Sequence, residues 1–167
     1  MKNEDRLYAD LDALGIAHRT YEHEAVFTVE ESVRLHVEIP GAHVKNLFLK
    51  DNGGRFWLVT VPADKRVALK ALPDAIGCKR VSFGNADDMN RLLGVTPGSV
   101  TPVAAINDTG GEVTVVIDAV LAAASLVNLH PLRNTASTAL SGAGLLAALR
   151  HWNHEPIIAD IPAMEMA

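Results

Sequence analysis

The chain has 167 residues, 49% of them hydrophobic and 21% charged, which fits one compact domain spanning 1–167 with a real core. No apolar run approaches membrane-spanning length, and the acidic N-terminus "MKNEDRLYADLDALG" lacks the apolar core of a secretory signal, so a cytoplasmic protein is expected. The net charge of −5 speaks at first sight against nucleic acid, and the single Cys78 excludes an internal disulfide or a cysteine-cluster zinc site.

Leu7, Leu11 and Leu14 fall at i, i+4 and i+7 between a capping Asn3 and Gly15, predicting a helix over 4–14. A short strand near 17–22 follows. Thr28 with Glu31 forms a capping box for a helix running to about Val37, ahead of Pro40-Gly41. Val44 to Leu49 reads as a strand covered on both faces, with Lys45 on the side of Leu47 and Leu49, and Asn46 on the side of Val44 and Phe48. An ammonium on an apolar strand either reaches out to water or waits for a partner. "DNGG" at 51–54 predicts a hairpin and 55–61 its return strand. Residues 64–71 look helical, 79–83 extended, and Asn85 caps a helix ending at Gly94. "GSVTPVAAIND" (98–108) reads as strand and turn, 112–118 as a strand, and "AVLAAAS" as a helical turn or two. "LVNLHPLRN" and "TASTALS" read as extended, and Ser141 caps a last helix to about Trp152.

Strands outnumber helices without strict alternation, which predicts an α+β fold: a mixed, largely antiparallel sheet flanked by helices. No GxGxxG, GxxxxGK[ST] or GxSxG motif occurs. The charge is uneven. Residues 1–44 hold four Lys/Arg against nine Asp/Glu and 81–167 three against eight, but 45–80 hold eight against three. That basic middle, including Lys50, Lys65, Arg66 and Lys70, either faces phosphates or is simply solvated.

Three features could carry chemistry. One is Lys45-Asn46 at a strand start. The second is "GVTPGSVTP", in which Gly98, Ser99 and Thr101 lie between prolines, a composition suited to a rigid loop presenting backbone N–H groups to a carbonyl oxygen. The third is His130, set before Pro131 at a strand end. His151 and His154 have i, i+3 spacing, but His154 falls at a helix end beside Pro156 and no third ligand is evident, so no metal is expected. The remaining histidines default to solvated surface positions.

"YEHEAVFTVEES", "GAHVKNLFLKD", "GVTPGSVTPVAAIND" and "LHPLRNTASTALS" occur in order over nearly the whole chain. Together they resemble the YbaK/prolyl-tRNA synthetase-associated editing-domain family, and within it the freestanding ProX type. The resemblance implies hydrolysis of a wrong amino acid from the 3′ end of tRNA(Pro), with no cofactor, DNA or membrane involved, and allows prolyl-tRNA synthetase as a second partner. It implies catalytic roles for Lys45, Gly98, Ser99 and His130, and substrate contacts from Val26, Phe27, Thr28, Val29, Asn46, Thr101 and Pro102. tRNA contacts fall on Lys50, Lys65, Arg66 and Lys70, and His23 gains weight beside Thr28. Alanine is the expected acyl group, since a proline pocket rejects a smaller residue weakly. The alternatives are cysteine, as in YbaK-like members, and a binding module without turnover.

Overall fold

The computed structural model describes residues 1–25, 34, 35 and 37–164. Helix α1, Glu4–Ala13, starts where the Asn3 side chain accepts the Arg6 N–H at 3.2 Å and stops before Gly15 at φ +70°. Leu7 and Leu11 are buried, but the predicted Leu14 is 38% exposed, because the helix has already ended there. Strand β1 is Arg19–Glu22. The predicted capping box and the residues Val26 to Val29 lie outside the described residues.

Strands β2, Ala42–Asp51, and β3, Phe56–Pro62, form the predicted hairpin. Its turn is organised by Asp51, which is buried. Oδ1 accepts the Gly53 and Arg55 N–H groups at 2.9 and 3.0 Å, and Oδ2 accepts the Trp57 indole and Lys79 N–H groups at 3.1 and 3.2 Å. Burial alone would push this carboxyl's pKa up. The four donors outweigh it and hold the group below the ordinary value.

The expectation of a helix over 64–71 is corrected. Ala68 N–H donates to the Pro162 carbonyl and Met164 N–H to the Arg66 carbonyl, so this stretch lies extended against the C-terminal segment, with a bridge between Val67 and Ala163. Pro73, near the first helical position of α2, Leu72–Ile76, marks where helix can begin. A single 3₁₀ turn, Leu69–Ala71, precedes it. Strand β4 is Val81–Phe83, and Asn85 caps α3, Ala86–Leu93, as expected.

Residues 98–108 are also corrected. They form two 3₁₀ turns, Pro97–Ser99 and Pro102–Asn107, each opening on a proline that fixes φ and has no N–H to give a ladder. Then come β5, Val113–Asp118, α4, Ala119–Ala122, β6, Val127–Leu129, and β7, Ala136–Leu140. Ser141 caps α5, Gly142–His151, and a further strand β8, Ile157–Ala159, was not anticipated.

The sheet runs β1-β7-β6-β2-β3-β5-β8, with β4 beside the end of β2. Four of its ladders are antiparallel; β2/β6, β3/β5 and β5/β8 are parallel. The mixed, largely antiparallel α+β expectation is borne out. Side-chain alternation sends Phe48 and Leu58 to a core under α3, and Leu49, Trp57 and Val59 to a core with α2 and Cys78. A third core joins α1, α4 and α5 to β6 and β7. No helix among the described residues is long and apolar enough to cross a membrane.

Two buried ion pairs lock the periphery. Lys65 Nζ lies 2.6 Å from Asp118, which is fully buried and also caps α4, and 2.9 Å from the Ile161 carbonyl. His154, just past the end of α5, is 6% exposed. Its Nε2 is 2.9 Å from Asp108 Oδ2 and its Nδ1 2.9 Å from the Trp152 carbonyl. Both partners are acceptors, so the ring holds both protons. The Asp108 hydrogen bond raises its pKa against the opposing effect of burial. At Asp108 burial pushes upward, but the His154, Val113 and Glu112 donors hold the carboxyl below its usual value.

Losing one partner strands a buried charge, so Lys65→Ala and His154→Ala should each cost about 3–5 kcal/mol in urea unfolding. Reversal of exposed Lys70 should stay within about 0.5 kcal/mol. The folded pKa of His154 lies above its unfolded value. Its contribution is therefore complete below about pH 6.5 and is lost as pH rises through the folded value. Asp108, shifted the other way, contributes above about pH 3.9 and loses this as pH falls through its folded value. Wild-type stability should thus decline on the alkaline side, and His154→Ala should abolish that slope.

Candidate active site

Strand β2 has β3 along one edge. Its other edge meets β6 only at Ala42 and His43 and β4 only at Leu49 to Asp51. Among the described residues no strand pairs with Val44 to Leu47 on that side, and the Phe48 carbonyl accepts the Gly84 N–H there at 2.9 Å. A cleft of about 180 Å³ lies at this opening, between the start of β2, the β6–β7 hairpin and the 3₁₀ turn Pro97–Ser99.

Gly98 is the part of the proline-bounded loop that reaches the cleft. The loop is held by Asn46, whose Nδ2 donates to the Val100 carbonyl at 3.0 Å and whose Oδ1 accepts the Thr60 hydroxyl at 2.7 Å. Asn46 therefore grips the loop against the sheet and does not line the cleft. Ser99 is buried, with its N–H donated to the Thr96 carbonyl. Thr101 and Pro102 are buried too, and Thr101 Oγ1 has no partner among the described residues. A Cβ on Gly98 would stand 3.2 Å from Asn134 Nδ2, so any larger residue crowds the cleft.

His130 follows β6 and is mostly buried, its Nδ1 a long 3.4 Å from the Ala136 carbonyl. Burial pushes its pKa down, aided by the nearby His23 and only partly offset by that carbonyl, so at neutral pH the ring is uncharged. Asn128, two residues earlier on β6, is 5% exposed. It donates to the Pro40 and Ala42 carbonyls at 3.0 and 3.3 Å, tying the start of β2 to β6. His23, just after β1, contacts Ser137 Oγ through Nε2 at 2.9 Å and the Glu24 carbonyl through Nδ1 at 2.7 Å. His43 Nε2 meets the Ile39 carbonyl at 2.9 Å.

Lys45 sits apart from this group. It is half-buried on the opposite face of β2, in a shallow groove of about 230 Å³ with Leu47, Arg66, Leu69 and exposed Phe83. It makes no ion pair among the described residues. The structure thus brings Gly98 and His130 together and sets Lys45 behind them. Its neighbour Val44 lines the cleft, so a chain passing over the open edge of β2 would touch both.

Of the expected tRNA contacts, Lys50, Arg66 and Lys70 are exposed. Lys65 differs from them: its ammonium is bonded inside the protein to Asp118 and the Ile161 carbonyl. Sequence reasoning overlooked Asn128, Asn134 and Ser137 as cleft residues. All three lie in "NLHPLRNTAS", where Asn128 and His130 share the i, i+2 spacing of one strand face.

Residues 23–148 match the aminoacyl-tRNA editing domain family. The prolyl-tRNA editing protein ProX of Acetoanaerobium sticklandii is 39% identical over 84% of this chain and 87% of its own. The prolyl-tRNA synthetase associated domain-containing protein 1 of Bos taurus is 37% identical over 89% of each. A chain crystallised as a candidate trans-editing enzyme for prolyl tRNA synthetase shares the fold, with a TM-score of 0.70 at 19% identity over 95% of this chain and 97% of that one. With the family's domain spanning the cleft from His23 through the β6–β7 hairpin, and a relative this similar over most of both lengths, the chain belongs to the aminoacyl-tRNA editing domain family.

Proposed function

We propose that the protein is a trans-editing hydrolase that cleaves alanine from mischarged tRNA(Pro) in the cytoplasm, with prolyl-tRNA synthetase as the enzyme whose errors it corrects. The observation that carries this reading is the small, half-polar cleft at the open edge of β2, with a neutral histidine and a glycine loop on its walls. An aminoacyl ester is already labile, so its hydrolysis needs positioning and oxyanion donors more than a covalent nucleophile.

In this reading the acyl group enters the cleft and the 3′ end of the tRNA lies over the β2 edge. Gly98 contributes a backbone N–H to the ester oxygen, since the N–H of Ser99 is already bonded within its turn. His130 orients the ester, and Asn46 acts from behind by fixing the loop. Lys45, free of internal ion pairs among the described residues, meets the phosphate or ribose. Lys50, Arg66 and Lys70 extend the cationic surface along the backbone. Alanine is the acyl group taken in this reading because a synthetase pocket built for proline rejects a smaller residue only weakly, and a second sieve is needed to remove it.

The test offers purified protein Ala-tRNA(Pro), Cys-tRNA(Pro) and Pro-tRNA(Pro) separately, in excess EDTA, and follows ester loss. Rapid loss of the alanyl ester alone is expected. Preference for the cysteinyl ester would reassign the substrate, and equal loss of the prolyl ester would remove the editing function. Lys45→Ala should keep its melting temperature and lose about 10²-fold or more in deacylation. Gly98→Ala should also fold, with a comparable loss, because its methyl meets Asn134. Joint charge reversal of Lys50, Arg66 and Lys70 should weaken tRNA binding and flatten its salt dependence while leaving the rate at saturation intact. Unchanged binding would make that surface merely solvated.

A further inference from the structure

His23 and Ser137 meet because of strand register. Tyr21 on β1 stands opposite Ser137 on β7, and the His23 N–H donates to the Thr135 carbonyl at 3.0 Å, carrying the pairing one step past β1. The two ring nitrogens have different partners. Nδ1 lies 2.7 Å from the Glu24 carbonyl oxygen, which can only accept, so Nδ1 carries the proton. Nε2 of the neutral ring is then a lone pair, and Ser137 Oγ, 2.9 Å away, donates to it. Ser137 and His23 both line the cleft. A hydroxyl bonded to an imidazole, with that imidazole fixed by a third group, is an arrangement that moves protons.

We propose that His23 and Ser137 form a proton relay that activates the attacking water, with His23 as the base. The proposal rests on the hydrolytic reading above. A water accepted at Ser137 Oγ attacks the ester carbonyl carbon. As the new C–O bond forms, the water proton passes to Ser137 Oγ, the serine proton passes to His23 Nε2, and the carbonyl π pair moves onto oxygen. Collapse restores the C=O bond and breaks the bond to the ribose oxygen. The proton returns from His23 through Ser137 to that oxygen, leaving a free amino acid, a tRNA hydroxyl and a neutral imidazole. His130 is less suited to the role: its Nδ1 contact is long, and no hydroxyl bonds to its ring among the described residues.

Among the described residues, the titratable and charged groups around His23 are Glu22 and Glu24 beside it in the chain, His130 after β6, His43 across the cleft on β2, and Arg133. Arg133 bonds Glu22 at 2.6 and 2.8 Å and Glu4 at 2.8 Å, so its charge is committed. Glu22→Gln is the control for their influence on the pH profile.

The experiment is single-turnover deacylation at saturating protein, using the tRNA(Pro) ester that the wild type cleaves, between about pH 5 and 8 where an imidazole changes charge. Ser137→Ala and His23→Gln should each lower the rate by about 10²- to 10⁴-fold with tRNA affinity and melting temperature retained. His23→Gln should flatten the rise of rate with pH that Glu22→Gln preserves. Added imidazole should restore part of the rate to His23→Ala, after subtraction of the protein-free reaction. If a His23 variant fails to fold, Ser137→Ala decides. Folded variants with wild-type rate and pH profile would overturn the relay alone, since the wild type still cleaves the ester. An alanyl adduct on Ser137 in acid-quenched samples would overturn it in favour of a nucleophilic serine. A wild type that cleaves none of the esters overturns both the relay and the function on which it rests.

Discussion

Strand β2 is the element on which the rest of the structure depends, because it is asked to be a central strand and an open edge at once. Both of its faces are covered, Phe48 by one core and Leu49 by another, and β3 saturates one of its edges. Its second edge is divided between β6 and β4, which pair at opposite ends and leave the middle unpaired by any strand among the described residues. Backbone groups at such an edge are available for hydrogen bonding. In a protein that handles an ester and a ribose, that availability is useful: the binding place is built from a sheet that stops short of closing, with rigid strands on either side of it.

The buried carboxylates explain how a sheet with this opening keeps its shape. Asp51 gathers four donors from the hairpin turn and the approach to β4, Asp108 holds His154 and the start of β5, and Asp118 holds Lys65 and caps α4. Asp10 joins α1 to the end of α5 through Arg6 and the Trp152 indole. Such groups add little net stability compared with apolar packing, but each tolerates few alternative partners, so they fix which loop meets which strand. Lys45 stands out against this background. Among the described residues the buried carboxylates are matched inside the protein, while this ammonium, on the strand face of Leu47 and Leu49, has no ion-pair partner.

The local parts of this design were legible in the sequence. Asn3, Asn85 and Ser141 each cap the helix they were expected to cap, because a cap bonds a backbone group two or three residues away. The alternation along Val44 to Leu49 gave the two-faced burial at Phe48 and Leu49, while Val44 to Leu47 are only half-buried because the sheet opens beside them. The stretch 98–108 misled because its apolar residues suit either a strand or a buried 3₁₀ turn, and only the proline spacing argued for the turn. Strand β8 is three residues long, too short for a period to show. Non-local facts were out of reach. The basic run was visible, but not that Lys65 finds Asp118 fifty-three residues on, nor that Ser137 finds His23 across 114. The family resemblance placed Gly98 and His130 in one site, and they do share a cleft. It grouped Lys45 with them, and geometry puts that residue on the other face of the same strand.

Charge completes the argument. Acidic flanks surround a basic middle, and an anionic 3′ end would be repelled by a cleft bordered with free carboxylates. Glu22, which immediately precedes His23, is instead bridged with Glu4 by Arg133, whose guanidinium pKa is raised by both. On the opposite face, Lys45 and Arg66 share the groove and Lys70 is exposed in the segment that follows. The net charge of the chain is therefore a poor guide to its partner: Glu22 beside the cleft is internally compensated, while Lys50, Arg66 and Lys70 are exposed, where phosphates can reach them.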